Sequence, residues 1–197
     1  MRNWEEKKLA IIEKSSDLMY LKGYNGTGVQ KLADAAAIPK GSFYYYFKSK
    51  EDFAIAAMNK YSKDRCETFN QILSDKSVSP LKRIDNLFSR MIDHFSREEK
   101  FTKGCFVGNL CEEMGDISRP IGKAADKFFN LLKEPFQECL SEAQENGEIS
   151  SSHDVEQLSE FIINSMEGSL LRMKASKNAK SMKLFKHMVL DVLLNTL

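Results

Sequence analysis

Apolar residues recur every three or four positions along almost the whole of this chain, and nowhere does an apolar–polar alternation bounded by turn residues appear. Spacing of i, i+3, i+4 gathers side chains on one face of a helix, whereas a half-buried strand needs period two, so the pattern predicts an all-α fold with sheet content near zero. Leu81, Ile84, Leu87, Phe88, Met91, Ile92 and Phe95 form the cleanest stripe, on a helix opened by Ser79-Pro80. Upstream, Leu9, Ile12, Ser16 and Met19 predict a first helix closed by Gly23, and Val29, Leu32 and Ala33 a short second one ending within Ala35–Ala37. Pro39 opens a third, because its missing N–H costs nothing in a first turn. Ser49 with Asp52 predicts the cap of a long fourth helix reaching about Asp75. Beyond them come helices over 104–114, over 116–146 (bent or broken near Pro135, closed by Gly147), over 152–175 and over 179–196.

Several function classes are excluded by what the chain lacks. Apolar runs such as Phe53–Met58 are far below the roughly 18–20 residues a bilayer span needs, which predicts no membrane segment. Met1–Leu9 mixes Glu5 and Glu6 with Arg2, Lys7 and Lys8 and leads into no apolar stretch, so no secretory signal and a cytoplasmic location are expected. Cys66, Cys105, Cys111 and Cys139 are widely spaced, and His94, His153 and His187 have no zinc-like spacing, so neither a metal site nor a disulfide framework nor any cofactor is expected. No nucleophile elbow, metal motif or phosphate loop accompanies those histidines; the expected protein is not an enzyme.

Charge is nearly balanced overall, at +1, but unevenly distributed. Residues 1–62 carry ten Lys/Arg against seven Asp/Glu, and between Ala37 and Lys50 there are three lysines and no acid. Two short helices joined by a tight turn over residues 28–47 have the geometry of a helix-turn-helix, whose second helix enters the major groove of DNA. On that second helix Phe43 and Phe47 fall together and pack inward with Tyr46 beside them. Gly41, Tyr44, Tyr45 and Lys48 fall on the opposite face, with Ser42 on the flank and Lys40 in the first turn. Two adjacent tyrosines cannot both point inward, and hydroxyls, lysine and a glycine suit phosphate and base-edge contact.

These residues resemble the TetR/AcrR family of bacterial transcriptional regulators. The resemblance covers about fifty residues: Gly23-Tyr24 closing the first helix, Thr27–Ala33 for the second, and Ala36-Ala37-Ile38-Pro39-Lys40-Gly41-Ser42-Phe43-Tyr44-Tyr45-Tyr46-Phe47-Lys48-Ser49-Lys50-Glu51. It implies phosphate contacts from Tyr44, Tyr46 and Lys50, and groove contacts from Gln30, Lys40, Gly41, Ser42 and Tyr45. Ala37 stands where the family usually has glycine, and Gly28 where a capping Ser or Thr is common. By the same resemblance, residues 1–50 form a helix-turn-helix DNA-binding domain and residues 51–197 a helical ligand-binding and dimerisation domain. The function implied is a repressor that holds a palindromic double-stranded operator as a homodimer and releases it when a small molecule acts. The alternative is a helical protein-interaction module without DNA binding.

Two further readings concern the C-terminal part. Leu184, Phe185, Met188, Val189, Leu190, Val192, Leu193, Leu194 and Leu197 would cover nearly the whole circumference of the last helix, more than one packing partner can bury, which predicts a homodimer through the last two helices; the alternative is a central helix of a monomeric bundle. The stretch Lys103–Asp116 with Glu167–Lys174 resembles a TetR branch that includes regulators responding to reactive electrophiles. Independently, Cys105 at a helix start lies where the positive end of the helix dipole favours thiolate, with Lys103 and Lys174 as added positive charge. A buried, inert Cys105 is the alternative. A noncovalent pocket lined by Phe95, Phe106, Asn109, Phe129 and Met166 is the competing sensor.

Overall fold

The computed structural model describes residues 2–97, 101 and 103–195, without the side chain of Arg2. Among the described residues there are nine α-helices and a π-helical segment, and no strand, so the chain is all-α as its periodicity requires. The helices are α1 (Arg2–Lys22), α2 (Val29–Ala35), α3 (Lys40–Tyr46), α4 (Lys50–Leu73), α5 (Pro80–Arg97), α6 (Phe106–Met114), α7 (Arg119–Glu145), α8 (Val155–Ser176) and α9 (Lys180–His187), with the π-helical segment at Met188–Leu193. They form two compact units: residues 1–63 with 106–128, and residues 64–105 with 129–197.

In the first unit α1 buries Ile12 and Met19 as expected, but Ile11 and Ser15 complete the inward stripe in place of Leu9, which is exposed, and Ser16, which is half-buried. Buried Ser15 is satisfied by donating to the Ile11 carbonyl at 2.6 Å. Gly23 closes α1 with φ +75°. The cap of α4 forms as expected: the Asp52 N–H donates to Ser49 Oγ at 3.0 Å, and Asp52 Oδ2 accepts from the Lys48 N–H at 2.9 Å. Tyr20, Tyr61, Phe106 and Phe128, from α1, α4, α6 and α7, meet as an aromatic cluster with ring centroids 5.1–6.1 Å apart.

In the second unit the α5 stripe is buried from Ile84 to Phe95, with one addition invisible in the pattern. Arg83 is only 2% exposed; its Nε donates to the carbonyls of Asp75 and Val78 and its terminal nitrogens to both oxygens of Glu142. Arg83 and Lys76 hold the Glu142 carboxyl down to about 2. Helix α7 runs unbroken through Pro135, whose buried ring belongs to the packed face of the helix and marks no end. The last helix is also corrected: α9 stops at His187 and continues as the π segment, where the Leu194 N–H reaches the Val189 carbonyl at 2.9 Å. An i to i+5 bond brings residues five apart into register, so Phe185, Val189 and Leu194 are buried together. Leu184, Met188 and Val192 are left facing outward. Thr196 and Leu197, part of the expected helix, lie outside the described residues.

Candidate nucleic-acid interface

The turn between α2 and α3 is closed by two backbone bonds, Ala37 N–H to the Asp34 carbonyl and Ile38 N–H to the Ala33 carbonyl, both 3.0 Å. This is the Schellman pattern, which requires its penultimate residue in the left-handed region. Ala37 occupies that position with φ +55°, so the residue that stands in place of a glycine adopts the conformation a glycine would. A β-carbon there costs roughly 1–2 kcal/mol. Pro39 follows as the N-cap of α3 with φ −59°.

Hydrophobic pinning then fixes which way α3 faces. Phe43, Phe47 and Phe53 are fully buried with centroids 5.1–5.7 Å apart, each contributing roughly 1.5–3 kcal/mol of burial. The opposite face is presented outward: Tyr45 is 70% and Tyr44 51% exposed, and Lys40 and Gly41 are exposed. Nothing lies within 4 Å of a β-carbon built on Gly41 or Gly28, so the fold itself leaves both positions open to whatever approaches from outside. Ser42 is half-buried. Tyr46 is half-buried between Tyr45, at 5.0 Å, and Trp4 of α1, at 5.8 Å. Lys8 lies over the rings of Trp4 and Phe47, at 5.1 and 5.2 Å, so the first turns of α1 brace the recognition helix from behind.

Two of the expected contacts are committed within the protein. Gln30 is exposed, but its amide donates to Asp34 Oδ1 at 2.7 Å one turn along α2. Lys50 donates to the Tyr24 carbonyl at 3.0 Å and lies 3.9 Å from the centre of the Tyr24 ring. Burial, reinforced by Glu51, raises the Tyr24 phenol above its ordinary range, so Tyr24 stays neutral beneath that ammonium.

Sensor candidates are divided between the units. Phe106 and Asn109, buried and half-buried, share α6 in the first. Cys105, 6% exposed and immediately before α6, falls in the second with half-buried Lys103 and Lys174, and with Phe95, Phe129 and Met166. Open depressions of about 610 and about 330 Å³ in the second unit lie elsewhere: the larger is lined by Asn86, Arg90 and His94, the smaller by Ile92, Lys183 and His187, among others. The other three thiols are poor nucleophiles, since burial pushes Cys66 and Cys111 up and Cys139 to about 11. Among the described residues no group of His, Cys, Asp and Glu is placed to hold a metal, and no helix is long and apolar enough to cross a membrane.

Known proteins resemble this chain along most of its length. Residues 11–57 match the profile of bacterial regulatory proteins of the tetR family, and residues 80–189 match a tetracyclin repressor-like C-terminal domain. The HTH-type transcriptional repressor DhaR of Mycobacterium sp. (strain GP1) is 33% identical over 184 residues, 93% of this chain and 90% of its own length. The transcriptional regulator AcuR of Cereibacter sphaeroides is 37% identical over 165 residues, 84% of this chain and 75% of its own. The solved structure of reduced Escherichia coli NemR superposes with a TM-score of 0.87 at 23% identity, covering 95% of this chain and 96% of its own.

Proposed function

This chain belongs to the TetR family and is a DNA-binding transcriptional regulator, and on that premise we propose that it is a repressor that reads a palindromic operator as a homodimer and lets go when an effector acts on its C-terminal part. The observation that carries the reading is the two-sided α3: Phe43 and Phe47 hold one face, so Lys40, Gly41, Tyr44 and Tyr45 are presented on the other. Lys40, Gly41, Ser42 and Tyr45 read the groove, with Gln30 reaching it once it leaves Asp34, and Tyr44 and Tyr46 contact phosphate through their hydroxyls. In this reading residues 1–50 bind DNA and residues 51–197 take the effector and the partner, in the cytoplasm where the operator is.

Dimerisation is assigned to α8 with the last helix. Phe161 and Leu171 on α8 are 54% and 51% exposed, and Leu184, Met188 and Val192 extend the apolar surface. Two copies related by a twofold would cover both sets at once and set two recognition helices against successive half-sites.

For the effector, Cys105 is the favoured site. Its thiolate would add to the β-carbon of an unsaturated carbonyl or quinone, forming one C–S bond while a proton is taken up by the carbon or oxygen that receives the electron pair. At 6% exposure there is no room for the adduct without displacing the residues around it, and the next residue is the first of α6. The test is a titration of the DNA upstream of the gene with native protein and Cys105→Ser, each with and without a quinone. Release of the native protein alone is expected. Release of both would move the effector to the noncovalent candidates Phe95, Phe106, Asn109, Phe129 and Met166.

A further inference from the structure

Between α1 and α2 the chain makes a tight linker, and its first peptide groups are gripped from two sides. From α6, Glu113 accepts the Tyr24 N–H at 2.6 Å on Oε2 and the Asn25 N–H at 2.7 Å on Oε1. From the first turn of α4, Lys50 donates to the Tyr24 carbonyl at 3.0 Å. Both are charge-assisted bonds to backbone, roughly twice as strong as neutral ones. Gly23 is required for a reason beyond its φ of +75°: a β-carbon there would sit 2.6 Å from Glu113 Oε2, in space the carboxylate uses.

Helix α2 is packed through buried Leu32 and Ala33 but does not fix its own start. Its N-cap is Gly28, with no side-chain cap bond, so the direction in which α2 sets off is inherited from the linker. The linker is anchored in turn by Thr27, fully buried, whose hydroxyl donates to the Gly23 carbonyl at 2.8 Å. Ser118, just before α7, donates to Glu51 and ties the beginning of α4 in as well.

We propose that Glu113 and Lys50 form a two-sided clamp on the Tyr24 peptide, making Glu113 a positioning residue for operator binding and giving Lys50 a role in the clamp in place of a phosphate contact. This rests on the DNA-binding reading above. It makes a prediction of unusual sign. Neutralising an acidic residue on a DNA-binding protein ordinarily raises affinity for the polyanion. In the clamp the same change lowers it, because a Gln at 113 keeps one acceptor and turns an amide N–H toward the other donor.

The experiment uses a duplex selected by the wild-type protein from a random pool. Glu113→Gln should bind it about tenfold more weakly than wild type, and Lys50→Ala should do the same, both with the wild-type salt slope. The double variant should lose much less than the product of the two single losses, since both groups hold one peptide. In the absence of DNA, hydrogen exchange at Tyr24 and Asn25 should quicken about tenfold in Glu113→Gln, while the Ala37 and Ile38 amides keep their protection. Unchanged or tighter binding by Glu113→Gln, unaltered exchange at Tyr24 and Asn25, or a salt slope reduced by about 1 in Lys50→Ala would each overturn the clamp. Failure of the wild type to enrich any duplex would overturn the DNA-binding reading instead, and the exchange measurement would still decide the clamp.

Discussion

Tyr44 and Tyr45 on α3 and Leu184, Met188 and Val192 on the last helix are comparably exposed, between 45% and 70%, yet the two surfaces differ in what their side chains offer a neighbour. On α3 each exposed ring ends in a hydroxyl and is interleaved with Lys40 and Gly41, so the face is polar at its tips and can meet a hydrated polyanion. On the last helix the exposed groups are aliphatic or thioether with nothing to offer water, and only removal from solvent favours them. Backbone geometry follows the same division. The recognition helix is held to a single α-helical register of seven residues by three buried phenylalanines, whereas the last helix changes to π winding to bury Phe185, Val189 and Leu194 on one side. Exposure alone therefore does not say what a face would meet; under the proposed function it is the chemistry at the ends of the side chains that assigns α3 to nucleic acid and the last helix to a second copy.

The largest test of this comparison removes what orients the first surface. Phe43→Ala should destabilise the protein by about 3–5 kcal/mol in chemical denaturation and abolish operator binding, because a cavity opens beneath α3. Next, Leu184→Glu combined with Met188→Glu should raise the dimer dissociation constant at least about a hundredfold in sedimentation, since charges would be desolvated at the interface. Survival of the dimer would place it on another face. Smaller and more selective effects are expected on α3: Lys40→Ala or Tyr45→Ala should cost about 1–3 kcal/mol on operator DNA and much less on random duplex. Equal losses on both would demote these residues to phosphate contacts.

The subtlest test concerns two turns with the same hydrogen bonds. Gly147 closes α7 with φ +71°, its N–H reaching the Gln144 carbonyl and the Glu148 N–H the Ala143 carbonyl, the pattern that Ala37 closes with φ +55°. Ala37→Gly should stabilise by up to about 1 kcal/mol and Gly147→Ala should destabilise by a similar amount, read as shifts in thermal midpoint. A destabilising Ala37→Gly would mean that the alanine methyl earns its place through packing.

Much of this was legible from periodicity. Phe43 and Phe47 inward with Tyr44 and Tyr45 outward follows from 100° per residue, and the cap at Ser49 follows from its partner three residues on. Periodicity does not reveal pairings between residues far apart in the chain. Nothing on α6 distinguishes Glu113 from its neighbour Glu112, and only the fold shows which carboxylate faces the Tyr24 and Asn25 amides. Arg83 stands in an apolar stripe as an apparent interruption until Glu142, 59 residues away, is brought beside it. The π segment escaped for a different reason: a run as apolar as Met188–Leu193 satisfies several helical periods equally, and packing selects among them.

Trp4 is the chain's single tryptophan; its ring lies 5.8 Å from that of Tyr46 on the recognition helix and has the Lys8 ammonium over it, 5.1 Å from its centre. The protein therefore carries its own optical gauge of the distance between α1 and α3. Indole emission responds to the polarity and the charge beside it, so any effector or duplex that shifts the recognition helix against its brace will be visible in unlabelled protein, in real time, at a single wavelength.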